Sequence, residues 1–280
     1  MNKFKWEIVN KSGKKVNEDI AYADENMAWV LDGATGLSDK KLTSFESDAQ
    51  WFVNEWDKYL KDNLNNTDKA IRDIVLEGIG IIRDRFYKES GLDYIEEIKR
   101  PSASISLVRK NKDIIEYFML GDCTLLINDI HNNVARIKDK SLEKFDNIAI
   151  SEMLKVRDEK NISWVEARKI VNPILIENRL LKNTQEGYWI LEFNEEAINH
   201  CIEGSFLAKD VKNLALMSDG FSAIVDTYKY CDDGELIERL IELGTENTYE
   251  LIRQIEEQDK DILKYPRLKK GDDSSIVFLK

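Results

Sequence analysis

Apolar and polar residues alternate in several short stretches of the chain, a pattern typical of half-buried β-strands. Phe4, Trp6 and Ile8 alternate with polar residues near the N-terminus, and two apolar runs follow before Asp32. Further apolar runs begin after Pro101 and recur up to the C-terminus. The predicted strands cover residues 4–8, 20–23, 27–31, 102–108, 114–120, 123–127, 134–137, 188–193, 213–217 and 275–279.

Between these strands, apolar residues recur at every third or fourth position, and this spacing predicts amphipathic helices. Two long helices are expected over residues 45–60 and 71–86, the second capped at its N-terminus by Thr67. Each has one apolar stripe, so each is expected to lie on a sheet. Further helices are predicted over residues 195–201, 235–243 and 249–263.

The order of these elements favours antiparallel sheets over a parallel, doubly wound sheet. Groups of strands alternate with pairs of helices, which is not the βαβ alternation that parallel sheets need. The turns at 111–113 and 121–122 are short, so the strands on either side of each are predicted to be antiparallel neighbours. With no linker evident, residues 1–280 are expected to form one α+β domain with helices outside layered sheets.

The charge balance argues against nucleic acids and membrane surfaces as partners. The 280 residues contain 41 Lys and Arg against 53 Asp and Glu, a net charge of −12, and no dense basic run. Affinity for phosphate backbones comes mostly from clustered basic residues. No apolar stretch has the length of a membrane span, and the N-terminus lacks the apolar core of a signal peptide. A cytoplasmic location is therefore expected.

The cysteine and histidine counts restrict the kind of metal site that the chain can form. Cys123, Cys201 and Cys231 are widely spaced and predict neither a disulfide framework nor a zinc site. The two histidines are too few for a histidine-rich site. Any metal must therefore be held by oxygen, and the abundant Asp and Glu residues are ligands that hard divalent cations prefer.

Acidic residues stand next to glycine at the ends of several predicted strands. A single Asp-Gly pair is most often only a tight turn, and Asp233-Gly234 is interpreted in that way. Carboxylates at the ends of neighbouring strands would instead converge, and their mutual repulsion would then need a divalent cation. Oxygen ligands suit Mg²⁺ or Mn²⁺, and two such ions can act together in phosphate hydrolysis. The acidic residues in question are Glu18, Asp32, Asp122, Asp219, Asp272 and Asp273.

The chain resembles the metal-dependent serine/threonine protein phosphatases of type 2C. Five short motifs carry this resemblance, in the family's order and from about residue 6 to residue 279. The resemblance implies a four-layer α-β-β-α sandwich, in which two antiparallel sheets are flanked by helices. The motifs are Asn17-Glu18-Asp19, Asp32-Gly33, Gly121-Asp122, Ser218-Asp219-Gly220 and Asp272-Asp273-Ser274.

The same resemblance implies a site with two Mg²⁺ or Mn²⁺ ions. Asp32 would bridge both ions, and the carbonyl of Gly33 would bind the second. Asp219 and Asp273 would complete the ligands of the first ion. Asp32 and Asp219 are therefore expected to be essential for catalysis.

The resemblance implies roles for two further acidic residues, which would not bind the two main ions directly. Glu18 would hold metal-bound water, and Asp122 together with Asp219 would serve a weaker third ion seen in some members of the family. In this chemistry a hydroxide that bridges the metals attacks phosphorus directly. No covalent enzyme intermediate is needed, which agrees with the small number of His and Cys residues.

Three features depart from the family pattern. Ala34 follows Gly33, so no histidine stands there to protonate the leaving group. Lys14 replaces the arginine that usually binds phosphate and is expected, with Asp32 and Asp219, to be a catalytic residue. Lysine supplies charge without a bidentate fork. The segment 139–205, where family members carry a flap near the site, matches no known pattern and is expected to control substrate choice. Within it, Ser163 and Glu166 form a predicted capping box, and Pro173 is expected to interrupt the chain.

The leading hypothesis is a metal-dependent phosphatase that acts on phosphoserine or phosphothreonine in proteins, with a role in signalling. Two alternatives stay open at this point. The chain could be a non-catalytic binding module that kept the fold, since Ala34 and Lys14 depart from the pattern. It could also use the same metal chemistry on a small phosphorylated metabolite. The sequence does not indicate the oligomeric state.

Overall fold

The computed structural model describes residues 5–37 and 40–280. Its strands are β1 (Trp6–Lys11), β2 (Asp19–Ala23), β3 (Met27–Ala34), β4 (Ser102–Asn111), β5 (Ile114–Leu120), β6 (Thr124–Asp129), β7 (Val134–Ile137), β8 (Ile202–Leu207), β9 (Val211–Met217) and β10 (Ser274–Leu279). Its α-helices are α1 (Asp48–Asn63), α2 (Ile71–Ser90), α3 (Glu143–Lys160), α4 (Trp164–Leu180), α5 (Asp219–Asp226) and α6 (Asp233–Gln258). Short 3₁₀ turns lie at Glu97–Lys99, Glu195–His200 and Ala208–Asp210.

The strands form two five-stranded sheets, and every neighbouring pair of strands is antiparallel. One sheet has the order β1-β10-β9-β6-β7, and the other has the order β2-β3-β4-β5-β8. The first sheet combines strands from the beginning, the middle and the end of the described chain. The second combines strands from its beginning and its middle, with β8 from further along, so distant segments meet within each sheet.

Successive side chains of a strand lie on opposite faces of its sheet. One face of each sheet packs against the other sheet and the opposite face packs against helices, which gives four layers. In β3, Trp29 packs against α1 and α2, whereas its neighbour Val30 packs between the two sheets. In β10, Val277 joins the same inter-sheet core, whereas Phe278 packs against α5 and α6. The layers are therefore α1/α2, the β3 sheet, the β10 sheet and α5/α6. The predicted α-β-β-α sandwich is confirmed.

The chain passes from one sheet to the other at Gly121 and Asp122. The prediction that β5 and β6 are antiparallel neighbours is wrong, because β5 lies in the β3 sheet and β6 in the β10 sheet. Gly121 has φ +88°, a left-handed conformation that glycine adopts without strain. A side chain at Gly121 would also collide with Ser104 of β4. The short connection is thus a crossing between layers rather than a hairpin.

The segment 139–205 differs most from its prediction. It contains α3 and α4, and Pro173 lies inside α4 instead of interrupting the chain. The capping box of Ser163 and Glu166 is confirmed at the start of α4. Residues 188–193 form no strand and pair with β4 only through a single bridge at Leu191. The sequence analysis missed β8, whose glycine and mostly exposed residues give little alternation.

Helix ends also differ from their predictions. Thr67 does not cap α2, which begins at Ile71 after Ala70, with no side-chain cap. The two helices predicted over 235–243 and 249–263 are joined across a kink at Gly244, where φ is +82°, and end at Gln258. The α-helix that begins at Asp219 was not predicted. Phe4, at the start of the first predicted strand, lies outside the described residues. In the part of the chain with described structure, no helix combines the length and hydrophobicity needed to cross a membrane.

Candidate functional site

Most of the residues that the sequence singled out line a single cavity of about 510 Å³. Asp32 and Gly33 lie near the end of β3, and Glu18 directly precedes β2. Asp122 follows β5, and Asp219 opens α5 directly after β9. Because the ends of strands from both sheets meet here, residues far apart in sequence face the same space. Lys14 and Asp272 also line this cavity.

Hydrogen bonds position the aspartates on the cavity floor. The Ser104 hydroxyl, opposite Asp32 across the β3–β4 pair, donates to Asp122 Oδ1 at 2.5 Å. The backbone N–H of Asp219 points at Asp32 Oδ2 over 3.4 Å. A side chain at Gly33 would collide with the carbonyl oxygen of Glu18, so glycine permits this close approach. The floor is therefore a packed set of strand ends, held in position by their backbones.

Asp273 does not line the cavity, whereas its neighbour Asp272 does. The Asp273 carboxylate is buried and accepts hydrogen bonds from the backbone N–H groups of Gly13 and Glu18 and from the Ser12 hydroxyl. Asp272 is partly exposed at the cavity, and its Oδ2 contacts the Lys269 ammonium at 2.6 Å. The structure therefore presents the first aspartate of the pair to the cavity and uses the second to join the chain termini.

The aspartates at the cavity carry more negative charge than the protein compensates. Burial, reinforced by Asp19 and Asp219, raises the pKa of Asp32 well above its ordinary value. Burial, together with Asp272 and Asp122, raises the pKa of Asp219 to about 6. Asp19 is paired with Asp32 across β2 and β3, and its buried Oδ2 has no hydrogen-bond partner among the described residues. Burial and the nearby Asp273 raise the pKa of Asp19 as well. This is the electrostatic pattern of a cation site.

Two lysines neutralise part of this charge. The Lys14 ammonium lies 2.5 Å from Glu18 Oε2 and 3.4 Å from Asp273 Oδ2. Burial raises the pKa of Glu18, but hydrogen bonds from Lys14, Thr35 and Ser47 outweigh it and hold that pKa below its ordinary value. Desolvation lowers the pKa of Lys269, but Asp272, Asp219 and Asp32 outweigh it and raise that pKa.

The oxygen atoms at the cavity are of the kind that hard divalent cations bind. They are, however, not already positioned around a common point. Carboxylate oxygens and one backbone carbonyl are the ligands that Mg²⁺ and Mn²⁺ take. Within residues 5–37 and 40–280, no three His, Cys, Asp or Glu side chains are already grouped to hold a metal ion. The reason is visible in the contacts, because Glu18 is held by Lys14 and Thr35, and Asp272 by Lys269. The buried charge, more than the geometry, supports cation binding.

Helices α3 and α4 form a flap over the cavity. Phe145, Leu175 and Ile176 give it an apolar wall, and Asp146 lines it as well. Burial, with help from Asp122 and Asp219, raises the pKa of Asp146 to about 7. Arg179, near the end of α4, donates to the Thr35 carbonyl at 2.5 Å. The flap is thus tied to the loop that follows Gly33.

Sequence reasoning missed several residues of this cavity. Asp272 stood in a recognised motif, but its neighbour was chosen as the ligand. Asp146, Arg179 and Lys269 lie in segments with no recognisable motif, so nothing in the local sequence marks them. Their position depends on how the flap and the segment before β10 pack against the strand ends.

Comparison with known proteins found a family model and several solved structures that are similar to this chain. The family model of protein phosphatase 2C matches residues 13–248. No curated protein matches the sequence significantly. The serine/threonine phosphatase PstP of Mycobacterium tuberculosis has a similar structure, with a TM-score of 0.60 and 14% identity over 99% of this chain and 98% of that one.

Two further structures are similar over almost their whole length. Stp1 of Staphylococcus aureus, a serine/threonine phosphatase, gives a TM-score of 0.54 and 14% identity over 99% of this chain and 95% of that chain. The catalytic domain of PstP in complex with two manganese ions gives a TM-score of 0.56 and 14% identity over 99% and 97%. At these identities the structural matches show the fold, and the family model shows the family.

Proposed function

Since the chain belongs to the protein phosphatase 2C family, we propose that it hydrolyses phosphoserine and phosphothreonine in proteins with the help of bound Mg²⁺ or Mn²⁺. One observation carries this proposal beyond the family. Asp32, Asp219 and Asp122 come from three distant segments to one cavity, where their charge is only partly compensated. A protein without a cation there would keep a costly arrangement of like charges for no purpose.

We assign the metal ligands from their positions at the cavity. Asp32 and the Gly33 carbonyl remain as the resemblance implied, and Asp219 lies beside Asp32. Asp272 takes the role that the sequence analysis gave to Asp273, because the Asp273 oxygens already accept three hydrogen bonds from Ser12, Gly13 and Glu18. Asp122 lies on the side of the cavity nearest to Ser104 and would serve a third, weaker ion.

Bound divalent ions would supply a Lewis acid for the phosphoryl group and an activated water as nucleophile. The protein's own residues then bind and orient the substrate. Lys14 has about a third of its side chain exposed at the cavity and presents a positive charge to the substrate phosphate. With Ala34 in place of a histidine, the chain offers no imidazole beside Gly33 to protonate the leaving group. The apolar wall of the flap limits the access of bulk water to the reacting phosphate.

The substrate class rests on analogy with the neighbours. PstP and Stp1 are serine/threonine phosphatases, and a phosphorylated protein is the corresponding partner for this chain. No observation on the structure favours the binding module or the metabolite phosphatase over this function. The cytoplasmic location, the role in signalling and the absence of nucleic-acid and membrane partners stay predictions.

A phosphatase assay tests the proposal directly. The purified protein is expected to hydrolyse both an aryl phosphate and a phosphothreonine peptide when Mn²⁺ is added, and to lose this activity with a chelator. Asp219→Asn is expected to lower kcat at least about a hundredfold, because one carboxylate of the metal site is lost. Asp113→Asn is the matched control, since Asp113 lies in the exposed β4–β5 turn, outside the cavity. Metal-independent turnover, or an Asp219→Asn variant as active as the control, would refute the proposal.

A further inference from the structure

The Lys269 ammonium group occupies part of the cavity that the divalent cation would need. Lys269 Nζ lies 2.6 Å from Asp272 Oδ2, and both residues line the same cavity as Asp32 and Asp219. Among the described residues, the Lys269 ammonium makes no ion pair with any other carboxylate. Its position is therefore determined mainly by the negative charge at the cavity floor.

The two other lysines near this charge are held differently. Lys14 contacts both Glu18 and Asp273, and Lys138 is almost fully buried beside Asp226. Lys269 has half of its side chain exposed, and within residues 5–37 and 40–280 its ammonium forms an ion pair with Asp272 alone. A lysine stem has four flexible carbons, so this ammonium can move out to water without breaking other contacts. It is thus the exchangeable cation at this site.

We propose that Lys269 is a built-in counter-ion of Asp272 that competes with the divalent cation for this carboxylate. The inference rests on the proposed function, because it concerns Asp272 as a ligand of that metal. An ammonium and a divalent ion cannot both sit at Oδ2 of Asp272, since they need the same oxygen lone pairs and repel each other. Metal binding therefore displaces Lys269. The affinity for the metal is lower than it would be if the carboxylates had no lysine beside them. In the metal-free protein, Lys269 neutralises one carboxylate of the acidic cluster.

Calorimetric titration with Mn²⁺ measures this competition. Lys269→Met removes the charge while keeping most of the length of the side chain. This variant is expected to bind Mn²⁺ about tenfold more tightly, the size of effect of one opposite charge on a partly exposed carboxylate. Lys269→Arg keeps the charge and is expected to stay within about threefold of the wild type. Lys270→Met is the matched control, because Lys270 is the exposed neighbour, and its contact with Arg267 uses only the backbone carbonyl.

Thermal unfolding of the metal-free protein gives a second readout that needs no metal. Lys269→Met is expected to lower Tm by roughly 2–4 °C relative to Lys270→Met, because Asp272, Asp219 and Asp32 lose a counter-ion. Adding Mn²⁺ is then expected to raise Tm more in Lys269→Met than in the wild type.

The outcomes separate this inference from the proposed function. Tighter Mn²⁺ binding by Lys269→Met than by Lys270→Met supports the inference, even if the wild type binds too weakly to be active. Equal affinity in both variants overturns it, and the wild-type phosphatase assay then still decides the proposed function. If no variant binds Mn²⁺, the competition does not exist and both ideas fail.

Discussion

Two adjacent aspartates at the start of β10 have opposite environments. Asp272 is partly exposed to the cavity and contacts the Lys269 ammonium. Asp273 is buried, and three groups of the segment from Ser12 to Glu18 donate to its carboxylate. Successive residues of an extended chain point in opposite directions, so only one of the pair can face the cavity. One aspartate is thus available for chemistry, and the other holds the two ends of the chain together.

Asparagine substitutions are expected to separate these two roles. Asp273→Asn should lower the free energy of unfolding by about 1–3 kcal/mol, because the amide nitrogen cannot accept one of the buried hydrogen bonds. Asp272→Asn should leave the metal-free stability nearly unchanged and weaken Mn²⁺ binding at least about tenfold. Urea denaturation and calorimetry measure both quantities. A stable Asp273→Asn variant with weakened metal binding would instead restore Asp273 as the ligand.

At the scale of elements, the flap joins the rest of the protein through few contacts. Helices α3 and α4 pack mainly on each other and on Ile262 and Leu268 before β10. Arg179 adds a polar tie from α4 to Thr35, and the Thr35 hydroxyl in turn donates to Glu18 at 2.6 Å. A change in the flap can therefore reach Glu18 through the loop at Thr35, and the segment before β10 through the contacts with Leu268.

Loss of this tie is expected to loosen the flap. Arg179→Ala should speed amide hydrogen exchange in residues 143–180 several-fold and leave exchange in α1 unchanged, because local opening depends on local contacts. Arg83→Ala is the control, since Arg83 forms an exposed ion pair with Glu195 on the outside of α2. Hydrogen exchange followed by mass spectrometry measures the difference. Equal exchange in the flap of both variants would show that apolar packing alone holds it.

At the scale of the whole molecule, the four layers concentrate negative charge at one edge. Strand ends from both sheets meet there, where Asp19 is buried and Asp32 and Asp219 are partly buried. Asp32, Asp219 and Asp19 all have raised pKa values as a result. Such groups bind protons more tightly in the folded state than in the unfolded state. They favour folding at low pH, and that contribution is lost as the pH rises through the folded pKa values.

The metal-free protein is therefore expected to lose stability between pH 5 and pH 8. The pKa of Asp219 is raised to about 6, so Asp219→Asn, which cannot ionise, should gain about 1–2 kcal/mol relative to the wild type over this interval. Glu18 and Asp226 have lowered pKa values and stay ionised across it. Urea denaturation at several pH values after metal removal measures the trend. A constant difference between variant and wild type would contradict the proposed charge repulsion.

Much of the secondary structure can be predicted from local sequence patterns. The alternation of apolar residues predicts β5 and β7 with their observed bounds, and the capping box predicts the start of α4. These features succeed because a strand or helix buries one face, and the resulting period depends only on nearby residues. The acidic residues at the strand ends, among them Asp32 and Asp219, were recognised for the same reason. Their order along the chain identified the family.

The tertiary structure alone decided the contacts between segments. No local pattern shows that the chain changes sheets at Gly121, because a two-residue turn and a crossing between layers have the same polar composition. Local patterns also do not show that Asp272 rather than Asp273 faces the cavity, or that Lys269 contacts Asp272. Periodicity records whether a residue is buried. Its partner depends on packing between residues far apart in the chain, as with Asp32 and Asp219, and is fixed only when the layers assemble.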